Sequence, residues 1–138
     1  GVTAMTPNQP DTEKFVGFFI KDEETLKQAG EKLLDSTNSD LMLVTRGGDG
    51  MAVFERGKEY SPIPVFNKTD VFDVTGAGDT VVATFTLGLA AGLSPKHAAI
   101  IGNLAASIVI RSFGCATTNI KELIKTADKI NFEKFRGK

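Results

Sequence analysis

The sequence predicts an α/β fold around a sheet that is at least partly parallel. Short apolar runs alternate with stretches of helical periodicity. The run Leu41-Met42-Leu43-Val44 is apolar throughout, as a strand buried on both faces requires. Glycine-rich turns follow two of these runs, at Gly47–Gly50 and at Gly76–Gly78.

The chain has 138 residues, which suits one domain, and 41% of them are hydrophobic and 24% charged. A chain of this size can bury a core without disulfide or metal staples. The formal net charge is −1, with both signs interspersed, so neither a basic surface for nucleic acid nor an acidic tail is present. Cys115 is the only cysteine, which excludes an internal disulfide and a Cys-rich zinc site and fits a reducing cytoplasm. The most apolar stretch, 81–93, is broken by Thr84, Thr86, Gly88 and Gly92, and no run reaches the roughly 18 residues of a bilayer span. No secretory signal pattern opens the chain. A cytoplasmic protein with no nucleic-acid or membrane partner is expected.

Residues 2–6 are expected as a short buried strand ending at Pro7, and residues 15–20 as an apolar patch. Residues 22–36 read as a helix, with Asp22, Glu23 and Glu24 in the first turn and Leu26, Ala29, Leu33 and Leu34 near helical spacing. Residues 40–45 are the parallel strand, followed by the Gly47-Gly48-Asp49-Gly50 turn. Residues 51–55 and 58–65 form a strand pair turning at Arg56-Gly57, and Pro62 and Pro64 mark the second strand as an edge. Residues 71–74 lead into a glycine turn, and a helix of small residues runs on to Ala91, stopped by Gly92. Ser94 caps the next helix with Pro95 in its first position, and that helix runs to Ser112. Residues 119–129 form the last helix, capped by Asn119, with Ile120, Leu123, Ile124 and Ala127 on one face. His97 is expected to face solvent, Arg56, Lys58 and Lys68 to be solvated loop charges, and residues 132–138 to fray.

The chemistry concentrates in Asp73-Val74-Thr75-Gly76-Ala77-Gly78-Asp79-Thr80. A helix start points unpaired amide N–H groups outward, with a positive partial charge. Glycines there let an anion reach the backbone, which suits charge on a transferring phosphoryl group. A carboxylate at Asp79 could accept the proton of an attacking hydroxyl. The segment is not a Walker A loop, since no Lys-Ser or Lys-Thr pair follows, nor the dinucleotide G-x-G-x-x-G, since Val81 holds the sixth position. The residues alone leave a second reading open, in which the glycines serve tight packing and Asp79 caps the helix. Asn8 is open between a ligand role and a turn or cap. Asp11 and Glu13 could be ordinary first-turn acids, and Asn103 could bond a neighbouring backbone group.

The octamer resembles the C-terminal signature of the ribokinase-like (PfkB) carbohydrate kinases. The resemblance extends in order along the chain: Thr6-Pro7-Asn8, then Val44-Thr45-Arg46-Gly47 with Gly50, then Gly102-Asn103-Leu104-Ala105-Ala106, then Gly114-Cys115-Ala116-Thr117. In detail it is most similar to the branch that phosphorylates the anomeric hydroxyl of D-glycero-D-manno-heptose 7-phosphate in ADP-heptose and lipopolysaccharide synthesis. It implies a ribokinase-like Rossmann-type sheet with flanking helices, of which residues 1–138 are the C-terminal nucleotide-binding and catalytic part, without the N-terminal sugar-binding half. It implies Asp79 as general base and Gly76, Ala77 and Gly78 as the anion hole. It places Thr45, Gly47, Gly50 and Asn103 beside ATP, Asn8 and Asp11 beside Mg²⁺, and a monovalent cation near Asp73 and Thr75. The partners implied are a sugar phosphate and ATP, and a homo-oligomer is expected from the apolar surfaces of so short a piece.

Two departures bear on this. The family's N-x-x-E motif is Asn8-Gln9-Pro10-Asp11 here, one methylene shorter at the acid, with Glu13 as a substitute two residues on. The chain is also far shorter than a complete member, so alone it is expected to have little or no activity. The alternatives are a kinase for another sugar or a nucleoside, and a non-catalytic nucleotide-binding fragment.

Overall fold

In the computed structural model, which describes residues 2–66, 76–110 and 118–129, the chain divides into two units, Gly1–Pro64 and Val65–Lys138. The first unit runs β1 (Ala4–Met5), α1 (Gln9–Val16), α2 (Glu23–Thr37), β2 (Leu41–Thr45), a 3₁₀ turn (Gly47–Asp49), β3 (Met51–Glu55) and β4 (Ser61–Ile63). Its sheet has the order β1-β2-β3-β4. β1 pairs β2 in parallel, and the other two pairings are antiparallel. The sheet is therefore mixed, as the sequence predicts, with β4 and its Pro62 at one edge.

Four consecutive residues of β2 and of β3 are buried, so alternate side chains on both faces are removed from water. On one face Met42, Val44, Ala52 and Phe54 pack with Val16 of α1 and with Leu26, Ala29, Leu33 and Leu34 of α2. Gly30 lets α2 approach closely, because a Cβ there would lie 2.3 Å from the Phe54 ring. That ring in turn stacks on Tyr60 with centroids 5.3 Å apart. Asp22 caps α2 rather than sitting in its first turn, in a reciprocal capping box with Thr25.

Three expectations need correction. Residues 2–6 are not a buried strand: β1 has two residues at the sheet edge, and Val2 is 53% exposed. A strand is buried only when neighbours cover it, and among the described residues β1 has a partner on one side only. The apolar patch at 15–20 is split. Val16 and Ile20 are buried, whereas Phe15 and Phe19 face solvent, since Phe15 lies on the outer side of a helix the sequence does not announce.

Arg56, thirdly, is no solvated loop charge. Its guanidinium donates to the Leu34 and Ser39 carbonyls at 2.6 and 2.9 Å and pairs with Asp35 at 3.0 Å. It serves the Ser39 carbonyl just past α2 and adds to the Ser39 N–H already accepted by the Leu34 carbonyl, at a helix end where a cation also suits the dipole.

The second unit holds α3 (Ala77–Ala90), α4 (Pro95–Val109) and α5 (Ile120–Ala127). Gly88 and Gly102 make the α3–α4 crossing tight: a Cβ on Gly88 would lie 3.0 Å from that of Ala98, and one on Gly102 would lie 3.3 Å from the Val81 carbonyl. Ser94 caps α4 as expected, and His97 is exposed with its Nδ1 2.8 Å from the Ser94 hydroxyl. α4 runs to Val109, and the expected end at Ser112 lies outside the described residues. Asn119 caps α5 in a capping box with Glu122, yet none of the predicted apolar face is buried, and Ile120 is 75% exposed. No helix among the described residues is long and apolar enough to cross a membrane.

Replacing Arg56 with alanine removes its hydrogen bonds to the Leu34 carbonyl and to the carbonyl of the buried Ser39. In the complete protein Arg56→Ala should lower stability by about 1–2 kcal/mol, read as a fall in the urea midpoint at unchanged slope. The exposed Asp35 contributes little, so Asp35→Ala should leave the midpoint nearly unmoved.

Candidate functional site

The first unit gathers five of the residues singled out in the sequence at one end of its sheet. The Thr45 N–H donates to the Pro7 carbonyl at 3.0 Å, and Asn8 and Thr45 form a parallel bridge just beyond β1. Asn8 thus stands beside Thr45 at the carboxyl ends of two adjacent parallel strands, the end at which α/β sheets bind ligands. Gly47 and Gly50 follow at once in the β2–β3 loop, both with positive φ, and the Arg46 N–H closes the loop on the Gly50 carbonyl at 2.8 Å. Nothing described lies within 4 Å of a Cβ placed on Gly47 or Gly48, so this loop is open to an approaching group.

Asn8 is the N-cap of α1. Its Oδ1 accepts the Asp11 N–H at 2.8 Å, so the helix-cap reading holds whatever else the residue does. An amide oxygen keeps a second lone pair, and both Asn8 and Asp11 are exposed. Glu13 differs: its Oε1 accepts the Ile20 N–H at 2.9 Å and the Gln9 amide at 3.0 Å. That carboxylate is committed to closing the turn after α1, which leaves Asp11 as the acid free to meet a ligand. Asn8 and Asp11 offer hard oxygen donors of the kind Mg²⁺ prefers. Among the described residues no three His, Cys, Asp or Glu side chains cluster as a metal cage. A Mg²⁺ ion here would complete its shell with water and phosphate oxygens, its usual habit.

The second unit holds the remaining candidates. Gly76 is the N-cap of α3 with φ 78, a left-handed conformation that favours glycine, and among the described residues no side chain caps this helix. Ala77, Gly78 and Asp79 are its first three residues. The Thr80 N–H and hydroxyl both return to the Gly76 carbonyl at 3.0 Å, fixing the first turn. A Cβ on Gly78 would meet nothing described within 4 Å, unlike those on Gly88 and Gly102. Packing explains the latter two glycines, and no contact among the described residues does so for Gly78. Asp79 is exposed in the first turn and is not the cap. Asn103 is buried on α4, beside the Gly102–Val81 contact with α3, and is hydrogen-bonded or otherwise paired. Asp73, Thr75, Lys68 and Cys115 lie outside the described residues. The structure thus brings together Asn8, Asp11, Thr45, Gly47 and Gly50 in one group, and Gly76, Ala77, Gly78 and Asp79 in another.

Sequence reasoning misses Arg46 and Gln9. The Arg46 Nε donates to the Gln9 Oε1 at 3.1 Å, between residues adjacent to Thr45 and Asn8. Only a three-dimensional pairing across 37 residues reveals this contact, and no local pattern announces it.

The cap at Asn8 is separable from any ligand role. Asn8→Ala should cost about 1 kcal/mol of stability in urea denaturation of the complete protein, and Asn8→Asp should retain most of it.

Comparison with known proteins agrees with this geometry. The sequence profile described as pfkB family carbohydrate kinase matches residues 1–122. The chain is 44% identical over 123 residues to the bifunctional protein HldE of a Nitratiruptor species, covering 89% of this chain and 26% of that protein. It is 38% identical over 124 residues to the HldE of Geobacter sulfurreducens, covering 90% and 25%. The chain therefore spans about a quarter of the curated relatives it matches. Among solved structures, Arabidopsis thaliana ribokinase in complex with ribose and ATP superposes with a TM-score of 0.82 at 26% identity, over 89% of this chain and 40% of that one. The ribokinase of Thermotoga maritima superposes at 0.77 with 26% identity, over 91% and 42%. Escherichia coli phosphofructokinase-2 in complex with potassium has a TM-score of 0.82 at 19% identity and shares the fold. The chain belongs to the pfkB family of carbohydrate kinases.

Proposed function

We propose that this chain is the ATP-side and catalytic part of a cytoplasmic sugar kinase that phosphorylates the anomeric hydroxyl of D-glycero-β-D-manno-heptose 7-phosphate. The observation that carries the phosphoryl-transfer reading is the start of α3: a helix terminus at Gly76 with no capping side chain among the described residues, nothing described within 4 Å of a Cβ on Gly78, and an exposed carboxylate at Asp79. The heptose acceptor rests on the resemblance of residues 71–81, 89–92 and 103–106 to that branch, and on relatives named HldE at about 40% identity. The N-terminal half that would hold the sugar lies outside this chain, whose matches cover 40% of ribokinase.

In the proposed reaction Asp79 takes the proton of the acceptor hydroxyl as its oxygen attacks the γ-phosphorus of ATP. A new oxygen–phosphorus bond forms, the bond to the β–γ bridging oxygen breaks, and ADP leaves with that electron pair. The amides of Gly76, Ala77 and Gly78 face the negative charge on the transferring group, where fixed donors act without reorganising. Thr45, Gly47 and Gly50 line the nucleotide phosphates and Asn103 approaches the nucleotide. Asn8 and Asp11 would hold Mg²⁺, which when bound would supply positive charge to the phosphates. A monovalent cation near Asp73 and Thr75 would add positive field to the same turn.

A carboxamide at position 79 keeps the shape and loses the base. Asp79→Asn in the complete protein should lower kcat by about 10²–10⁴-fold, with the KM for ATP little changed, in a coupled ADP-release assay with the heptose phosphate. An unaltered kcat would remove Asp79 from the base role.

The 138-residue chain alone should release no ADP in response to the sugar, because it lacks the walls that position an acceptor and exclude water. Exposed Leu87 and Ile120 and the free edge of β1 should also make it self-associate in light scattering. Sugar-dependent turnover by a monodisperse monomer would contradict both expectations.

A further inference from the structure

The start of α1 is tied to the end of β2 by little backbone structure. β1 has two residues, its pairing beyond Met5 is the single Asn8–Thr45 bridge, and Pro10 has no N–H to give. Yet this is where Asn8 and Asp11 must hold station against Thr45, Gly47 and Gly50. A chain of side chains reinforces the corner. The Arg46 Nε donates to Gln9 Oε1 at 3.1 Å, Gln9 Nε2 donates to Glu13 Oε1 at 3.0 Å, and the same oxygen accepts the Ile20 N–H at 2.9 Å.

Arg46 leaves β2 on the helix-covered face, two residues after Val44, whereas Thr45 faces the other way. Tyr60 lies on that covered face and donates its hydroxyl to the Glu23 carboxylate at the start of α2. Burial, helped by Glu23, pushes the Tyr60 hydroxyl up to about 12, and the positive field of Arg46 acts against it. The guanidinium thus bonds Gln9 and lies close enough to Tyr60 for its charge to act on the phenol. Among the described residues its one hydrogen bond is the one to Gln9.

We propose that Arg46, acting through Gln9 and Glu13, is a positioning residue: it fixes the first turn of α1 against the end of β2, and so sets the spacing between the Mg²⁺-facing pair Asn8 and Asp11 and the nucleotide loop Thr45–Gly50. This rests on the functional reading above. Arg46 touches neither substrate nor metal, and its effect falls on the nucleotide and Mg²⁺ rather than on the sugar.

The test uses the complete protein and Mg·ADP as the calorimetric probe. In Arg46→Ala the Kd for Mg·ADP and the KM for ATP should each rise about tenfold, with the Mg²⁺ requirement shifted upward. The KM for the sugar should stay within about twofold, since misplacement near 1 Å acts on the groups displaced. Gln9→Leu, which keeps the arginine, should give the same split, and it carries the test if Arg46→Ala does not fold. The exchanged pair Gln9→Glu with Glu13→Gln keeps an acceptor for Arg46, a donor between 9 and 13 and an acceptor for the Ile20 N–H. It should restore Mg·ADP affinity to within about twofold of the parent. A purely structural role would lower the thermal midpoint and move both KM values together, and that result overturns the proposal. Unchanged Mg·ADP affinity in both single variants does the same. A parent protein that phosphorylates sugars while these variants match it removes only the positioning role. A parent with no ATP-dependent sugar phosphorylation removes the functional reading and this proposal with it.

Discussion

One backbone hydrogen bond sets much of the first unit: the Thr45 N–H to the Pro7 carbonyl. It extends the β1–β2 pairing past the end of β1 and delivers the N-cap of α1 to the glycine loop that follows β2. A parallel pairing is what makes this possible, because both strands then end on the same side and both following segments emerge there. Everything proposed for the nucleotide phosphates and the metal in this unit uses that shared exit: an amide oxygen and a carboxylate from the start of a helix, and open backbone from a loop. The antiparallel hairpin of β2 and β3 holds the loop in place through its closed ladder, from Leu41 opposite Glu55 to Thr45 opposite Met51.

Glycine serves two physical ends in this chain. At Gly30, Gly88 and Gly102 a side chain would collide with a neighbour, and the missing Cβ is what allows an element to close on its partner. At Gly47 and Gly78 there is nothing described to collide with. Gly47 is further set apart by its positive φ of 55, which favours glycine. Gly76 adds a left-handed turn at the start of α3.

Local rules carry most of the secondary structure. Ser94-Pro95 and Asn119 are capping patterns whose hydrogen bonds form within three residues, so they are legible without tertiary knowledge, whereas Asp22 reads as a first-turn acid and proves to be the cap. α1 is not legible, since it buries only Thr12 and Val16 and has too little apolar face to announce itself. Arg56 and Arg46 escape sequence reasoning for a related reason. Their partners lie 17–22 and 37 residues away, and a charge next to a turn looks solvated until the fold brings a carbonyl or an amide to it. The apolar face of α5 is legible as a pattern, but its exposure is not, because periodicity reports a face and not what covers it. The octamer around Asp79 is legible as a family signature, whereas the left-handed cap at Gly76 is a property of the fold.

The central claim concerns where charge sits during transfer. A structure of the complete protein crystallised with Mg·ADP, aluminium fluoride and the heptose phosphate would address it directly. The account predicts the fluoride on the amides of Gly76, Ala77 and Gly78, with the Asp79 carboxylate about 3 Å from the acceptor oxygen. Fluoride bound away from that turn, or Asp79 directed away from the sugar, would contradict it.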